Sequence, residues 1–462
     1  MKFNIKNTAA ALLFGSAALS ASAQFTQSGY FVEDYAYRFL MNPAIANEPG
    51  KIFVGVPGVA NVNAGIRGNL SLSDVIYNVD GKTVLFSNPG VSSSELMDNL
   101  SDMNKIGVST RVNILSFGFN AFGGYNTINI AARADVNAHI PSSLFSLLKE
   151  GVSNRDYEID GVKARAIGYG EIALGHSRQI TPEIRVGASL KVLLGVGSID
   201  AELERATLSL GKDAWHVVTN ADIHTSLKGM HYKTTLNDHT NTEYVEGLDG
   251  DFSAINGFGL GLDLGAVYTP KALPDWEFSA AILDLGFISW NNDLWASTNG
   301  DKAFDSDIYT FNANENADNS FSKEWKKMRN SLEMLYQLDD NGDKGSRTQA
   351  LNATINLGAA YTLPLYDKLK FGLLNTTRIA GSYSWTDFRL SANVAPVKNV
   401  SFGVNTCAGT FGCGFGWMAN LRIPGAGIQF FLAQDNFFSK MAKQGVPIAS
   451  NASVSTGLNV YF

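Results

Sequence analysis

From Ile184 to Val196 every second side chain is apolar: Ile184, Val186, Ala188, Leu190, Val192, Leu194, Val196. The residues between them are Arg185, Gly187, Ser189, Lys191, Leu193 and Gly195. The same period recurs from Phe258 to Tyr268 and from Leu351 to Tyr361. Strict alternation specifies a β-strand with one apolar and one polar or small face. These runs reach ~10 residues, longer than the ~5–6 of a typical globular strand. A soluble sandwich would turn the apolar face inward and carry Lys, Glu and Thr on the wet face. Here the second face carries Gly, Ser and Asn with an occasional charge, as in the lumen of a membrane barrel. Aromatics at strand ends, such as Tyr268, Trp276, Trp290 and Tyr361, stand where interfacial girdles belong. The expected fold is all-β, a transmembrane antiparallel barrel.

Composition agrees. Charged residues are 17% of the chain, below the roughly 25% of soluble proteins. The 28 Phe and 16 Tyr supply too much apolar surface for disorder. Mean hydropathy near zero argues against a bundle of transmembrane helices. A net charge of −7 with no basic block gives nucleic acid no electrostatic footprint. Lys2 and Lys6, the apolar stretch 8–19 and Ala21-Ser22-Ala23 read as a cleaved signal peptide over residues 1–23. The expected location is the outer membrane of a Gram-negative cell. The only cysteines, Cys407 and Cys413, close a short Gly-rich loop and are a candidate disulfide in an oxidising compartment.

Short Pro-containing links at 179–183, 270–275 and 395–399 read as periplasmic turns, and two long polar insertions, 200–255 and 291–349, as extracellular loops. About 14 strands fit between residue 51 and the end, with irregular stretches at 51–69 and 366–381. Residues 24–50 are unsuited to a strand because of Pro43 and Pro49, yet Tyr35, Tyr37 and Phe39 need burial. They are expected as a plug-like segment in or beside the lumen, with Gly259 and Gly261 leaving room for it. Domains are thus expected at 1–23, 24–50 and 51–462. In the last strand Leu458, Val460 and Phe462 form the apolar face. Phe462→Asp is expected to lower assembly, and Asn459→Asp, on the lumen face, to be tolerated.

Candidate chemistry is sparse. His216, His224, His231 and His239 are spaced by seven or eight residues, which sets up no metal geometry. Asp339-Asp340-Asn341-Gly342-Asp343 looks oxygen-rich, but the EF-hand register puts Lys344 where Gly is needed and Ala350 where Glu belongs. Helices are expected at 144–150, capped by Ser142 or Ser143, and at 323–338. No hydrolase, metalloprotease or phosphate-loop motif occurs, and the alternating Gly259, Gly261 and Gly265 do not open a helix. No catalytic residue, metal or cofactor is expected, and the chain does not read as an enzyme. Arg185, Lys191 and Asp263 are the candidate lumen-facing charges.

The segment Tyr35-Ala36-Tyr37-Arg38-Phe39-Leu40-Met41-Asn42-Pro43-Ala44 carries a resemblance. Its Asn42-Pro43-Ala44, with Leu262-Asp263-Leu264-Gly265 and Leu283-Asp284-Leu285-Gly286, resembles a Bacteroidetes outer-membrane barrel family of unknown function. That set is similar to the PorP/SprF group tied to type IX secretion and, more distantly, to FadL-type transporters of hydrophobic compounds. Phe462 ending an alternating strand resembles the signal read by the barrel-assembly machinery. The resemblance implies a channel or transporter with hydrophobic small molecules as one cargo, or else an accessory barrel scaffolding a secretion or surface-attachment complex. The partners it implies are outer-membrane lipid, the assembly machinery and secretion or surface components.

Overall fold

A computed structural model describes residues 26–45, 52–150, 156–210, 214–237, 242–251, 255–305, 337–423, 425–436 and 451–462. The stretch 1–23, expected as a signal peptide, and nearly all of the helix expected at 323–338 lie outside them.

Alternation is realised as a closed wall of 14 antiparallel strands. The first half is β1 (Phe53–Gly55 and Asn61–Gly68), β2 (Met103–Ala121), β3 (Gly124–Pro141), β4 (Val162–Thr181), β5 (Ile184–Leu210), β6 (Gly257–Tyr268) and β7 (Trp276–Trp290). The second is β8 (Ala353–Thr362), β9 (Leu369–Ile379), β10 (Trp385–Val397), β11 (Val400–Gly409), β12 (Gly412–Arg422), β13 (Ile428–Gln434) and β14 (Ala452–Tyr461). Closure pairs β14 with both parts of β1, from Ile66↔Ala452 to Val62↔Thr456 and, after a shift of register, from Gly55↔Asn459 to Phe53↔Tyr461. The break in β1 falls at Pro57-Gly58, where proline lacks a donor and Gly58 takes a φ of 80°.

Apolar side chains face out. Leu190, Phe258, Phe388 and Leu390 are each more than half exposed, an arrangement suited to lipid rather than water. Trp276, Phe278 and Tyr361 cluster at one rim, with ring centroids 6.0 and 5.1 Å from Trp276. Inside are Asn61, Asn63, Asn113, Ser116, Asn129 and their like, all buried. The Pro-containing links share one end of the barrel and the long connections the other.

The described parts of the two insertions are largely strand rather than loop. β5 continues to Leu210, well past its last pairing with β6 at Gly195, and pairs there with Ala214–Ser226. That strand pairs in turn with Leu294–Asp305, and Met230–Asn237 with Thr242–Gly250 forms a hairpin. Beyond the lipid belt both faces of a strand meet water, so the apolar alternation that marks a strand fades. Among the described residues the short helices sit elsewhere: Ser142–Glu150, which covers the expected 144–150, and Leu72–Val75 and Ser93–Asn99 in the 69–102 connection. Ser92 caps the last of these, its Oγ accepting from Glu95 N at 3.1 Å. Leu96 on that helix packs with Leu70, Phe86 and Phe145 at the long-connection end.

Candidate functional site

Residues 26–45 lie buried among inward-facing wall residues in the short-turn half of the barrel. Tyr30, Phe31, Tyr35, Tyr37, Phe39 and Met41 pack with Phe53, Leu283, Met418 and Phe431 of the wall. Proline excludes a strand here, and two short 3-10 turns take its place. Asn42 is fully buried and works both of its ends: Oδ1 accepts from Ala44 N at 2.9 Å, and Nδ2 donates to Ala266 O at 3.2 Å and Tyr30 Oη at 3.3 Å. The glycines that admit this motif are Gly187 and Gly265, where a Cβ would stand 2.1 Å from Pro43 O and from Asn42 Oδ1. Gly259 and Gly261, expected to make that room, lie against β7 and Lys191 instead. The other end is tied by Asp435, which accepts from the Gln27 and Ser28 amides at 3.0 and 2.6 Å.

Towards the middle of the wall lies a layer of charge. Arg111 donates to Glu171 at 2.5 Å, and Arg133 donates to the other Glu171 oxygen at 2.9 Å. Arg133 also grips Asp284 through two bonds of 2.9 and 3.0 Å. Lys191 Nζ reaches Asp284 and Asp263, each at 2.6 Å. All six side chains are at most 5% exposed. Removing an ion from water costs several kcal/mol, and only close pairing offsets that. Three cations here face three carboxylates, so the layer is neutral in sum. Asp284 comes into it by a local irregularity. β7 bulges between its pairings of Leu285 with Leu262 and Ile282 with Leu264, and Asp284 takes a φ of 59°. The bulge turns both Leu283 and Asp284 inward, and the Asp284 amide donates to Asp263 at 2.7 Å.

Above the N-terminal segment an open cavity lies toward the long-connection end. Its lining includes Gln27 of that segment, Arg67, Lys105 and His139 on one wall, and Thr354 and Arg378 on the other. Asp135 spans the two walls, accepting from Arg378 at 3.2 Å. A smaller space shares Asp135 and Arg378 and reaches Arg133 and Tyr169 beside the charge layer.

Of the charges singled out by sequence, Lys191 and Asp263 meet directly. Arg185 lies six residues toward the rim on the same strand, roughly 20 Å away, and binds Gln179 Oε1 at 3.1 Å in an exposed site. It takes no part in the layer. Leu458, Val460 and Phe462 lie on the outer face of β14, with Phe462 N and O bonded to Ile52 at 2.9 and 3.2 Å. Cys407 and Cys413 are both free. Cys407 pairs with Gly414 and Cys413 with Ala408, so the two thiols point to opposite faces of one hairpin and cannot bridge. Cys407 Sγ donates to Asn436 Oδ1 instead, at 3.3 Å. Sequence reasoning missed Arg111, Arg133, Glu171 and Asp284. The inward phase of Arg111, Arg133 and Glu171 could be counted along their strands, whereas the bulge that turns Asp284 inward leaves no mark in the alternation.

A model for a family of unknown function, DUF5723, matches residues 43–435. No curated protein matches the sequence. Among solved structures, the Ralstonia pickettii toluene transporter TbuX is 11% identical, with 95% of this chain and 97% of that one covered at a TM-score of 0.39. A Pseudomonas aeruginosa FadL homologue is also 11% identical, over 96% and 98% at 0.40. The translocator domain of the autotransporter NalP from Neisseria meningitidis is 7% identical, over 100% and 98% at 0.34.

Proposed function

The chain belongs to the family of unknown function DUF5723, a description that assigns no activity, and on the chain's own geometry we propose that it is an outer-membrane channel or transporter for a small solute. The observation that carries the reading is the open cavity whose lining reaches Gln27 of the N-terminal segment. Solute enters at the long-connection end, taken as the cell exterior, and residues 26–45 gate its passage to the periplasm. The segment is placed for that task because it fills the lumen between the cavity and the short-turn end, tied by Asp435 at Gln27 and Ser28 and by Asn42 near the rim. Hydrophobic small molecules, the cargo implied by resemblance, would have to pass Arg67, Lys105, Asp135 and Arg378, so the lining favours a polar solute.

Single-channel conductance in planar bilayers tests the reading. The full-length protein is expected to conduct weakly and in brief events, and a variant lacking residues 26–45 to conduct strongly and steadily. Silence from both variants, each shown to be folded by heat-modifiable mobility, would end the transport reading. Co-purification of secretion components with a silent barrel would favour the accessory role instead.

A further inference from the structure

We propose that the cavity is a binding site for a small anion bearing a carboxylate or a phosphate, held between Lys105 and Arg378 with Thr354 as a further donor. The inference deepens the transport reading by naming a cargo class, and rests on it only for the passage, not for the binding.

Three observations point the same way. The first is the balance of charge: Arg67, Lys105 and Arg378 line the cavity against the one carboxylate of Asp135. A concave, low-dielectric site lined by one sign of charge concentrates the opposite ion. The second is how these cations are held. Asp387 accepts from Arg67 at 3.4 Å, and Asp135 fixes Arg378 at 3.2 Å. Each carboxylate orients a guanidinium that has five donors, leaving others for a ligand. The Lys105 ammonium has no carboxylate partner among the described residues. It stands beside His139 in the register of β2 and β3, and His139 in turn beside Lys163 in that of β3 and β4. Lys163 is engaged by Glu202, so the cation that the β2–β4 wall offers to an anion is Lys105. The third is Thr354. It is 2% exposed, lines the cavity, and its hydroxyl has no hydrogen-bond partner. A buried hydroxyl without a partner carries a desolvation cost that a bound oxyanion would offset. Thr354 is also the cross-strand neighbour of Arg378, so the two act on one ligand from the same wall.

Calorimetric titration of the full-length protein in detergent micelles, at fixed low ionic strength, tests the site. Inorganic phosphate and benzoate are the probes, and ethanolammonium is the cationic control. Both anions are expected to bind and ethanolammonium to give no heat. Lys105→Gln breaks no ion pair and should weaken anion binding about tenfold, as loss of a charged hydrogen bond implies. Lys105→Arg should restore most of it, and Thr354→Val should weaken it less. All variants should keep the heat-modifiable mobility of the folded barrel. No binding of either anion by the folded protein, or undiminished binding by folded Lys105→Gln, would overturn the proposal. Anion binding without conductance would uphold the site while removing transport, and conductance without anion binding would leave a channel and overturn the site.

Discussion

Asp284 shows how one residue can organise a layer. Its carboxylate takes two bonds from Arg133 and one from Lys191, so neutralising it leaves two buried cations short of a counter-charge. Asp284→Asn is therefore expected to cost about 3–5 kcal/mol, read as a lowered urea midpoint for the barrel in lipid vesicles. Removing a matched pair should cost less. In Lys191→Met with Asp263→Asn one charge of each sign is lost, and the oxygen that accepts from the Asp284 amide is kept. That double variant should be more stable than Lys191→Met alone. If it is as unstable as the sum of the two single changes, charge balance is not what holds the layer. The cysteines make a second case at this scale. Cys413 is exposed and Cys407 buried, so in the folded protein a maleimide should label Cys413 alone. Oxidation without unfolding should produce no loop-closing bridge, and a non-reducing mobility shift cancelled by a thiol would contradict the register.

At the scale of the element, much of β6 was legible before any coordinates. Phe258, Leu260 and Leu264 alternate with Gly259, Gly261 and Asp263, and they separate into outward and inward sets. β7 was legible only in part, because a bulge shifts the phase without changing the composition. Residues 200–255 were misread because strands that rise out of lipid lose the contrast between faces. The inner face of β14 was read in the right phase, but its surroundings were not, since nothing in residues 452–462 announces that Tyr37 packs there. Asn459 is wholly buried and accepts from Tyr37 Oη at 2.6 Å, so a carboxylate at this place would sit desolvated against an aromatic cluster. The expectation of a tolerated Asn459→Asp is thereby reversed: it should lower the urea midpoint of the assembled barrel by about 1–3 kcal/mol. Phe462→Asp stands at the rim, where an acidic residue costs roughly 0–1 kcal/mol, and should lower the yield of folded protein more than its midpoint. Equal midpoints for Asn459→Asp and the parent would mean that Tyr37 is not seated on this strand. The seat can also be broken from the wall. Gly265→Ala places a methyl where Asn42 Oδ1 now lies, and should release the segment, seen as new trypsin cleavage at the buried Arg38 with the barrel still heat-modifiable.

Across the whole molecule, one sheet serves two environments. A tilted strand needs ~9–11 residues to cross a bilayer. β5 has 27, roughly 90 Å of chain at the usual rise. Its lower part, up to Gly195, is wall, bonded to β4 and β6. Its upper part bonds to β4 and to Ala214–Ser226, which bonds to Leu294–Asp305. Barrel closure, by contrast, depends on pairs such as Val62↔Thr456 on the far side of the ring. The extension and the ring are therefore separable under attack. Lys228 is exposed in the turn between Ala214–Ser226 and Met230–Asn237, at the foot of the extension, since Ser226 pairs back with Ser198 just above the wall, and Lys233 is exposed on the hairpin that follows. Trypsin added to intact cells should cut at exposed lysines such as Lys228 and Lys233, and the fragments should still migrate together as a folded, heat-modifiable species until boiled. Loss of the folded species on that cleavage would mean that the extension helps hold the ring shut. Cleavage that begins only after the outer membrane is permeabilised would place the long connections on the periplasmic side, and the cavity would then open inward rather than toward the medium.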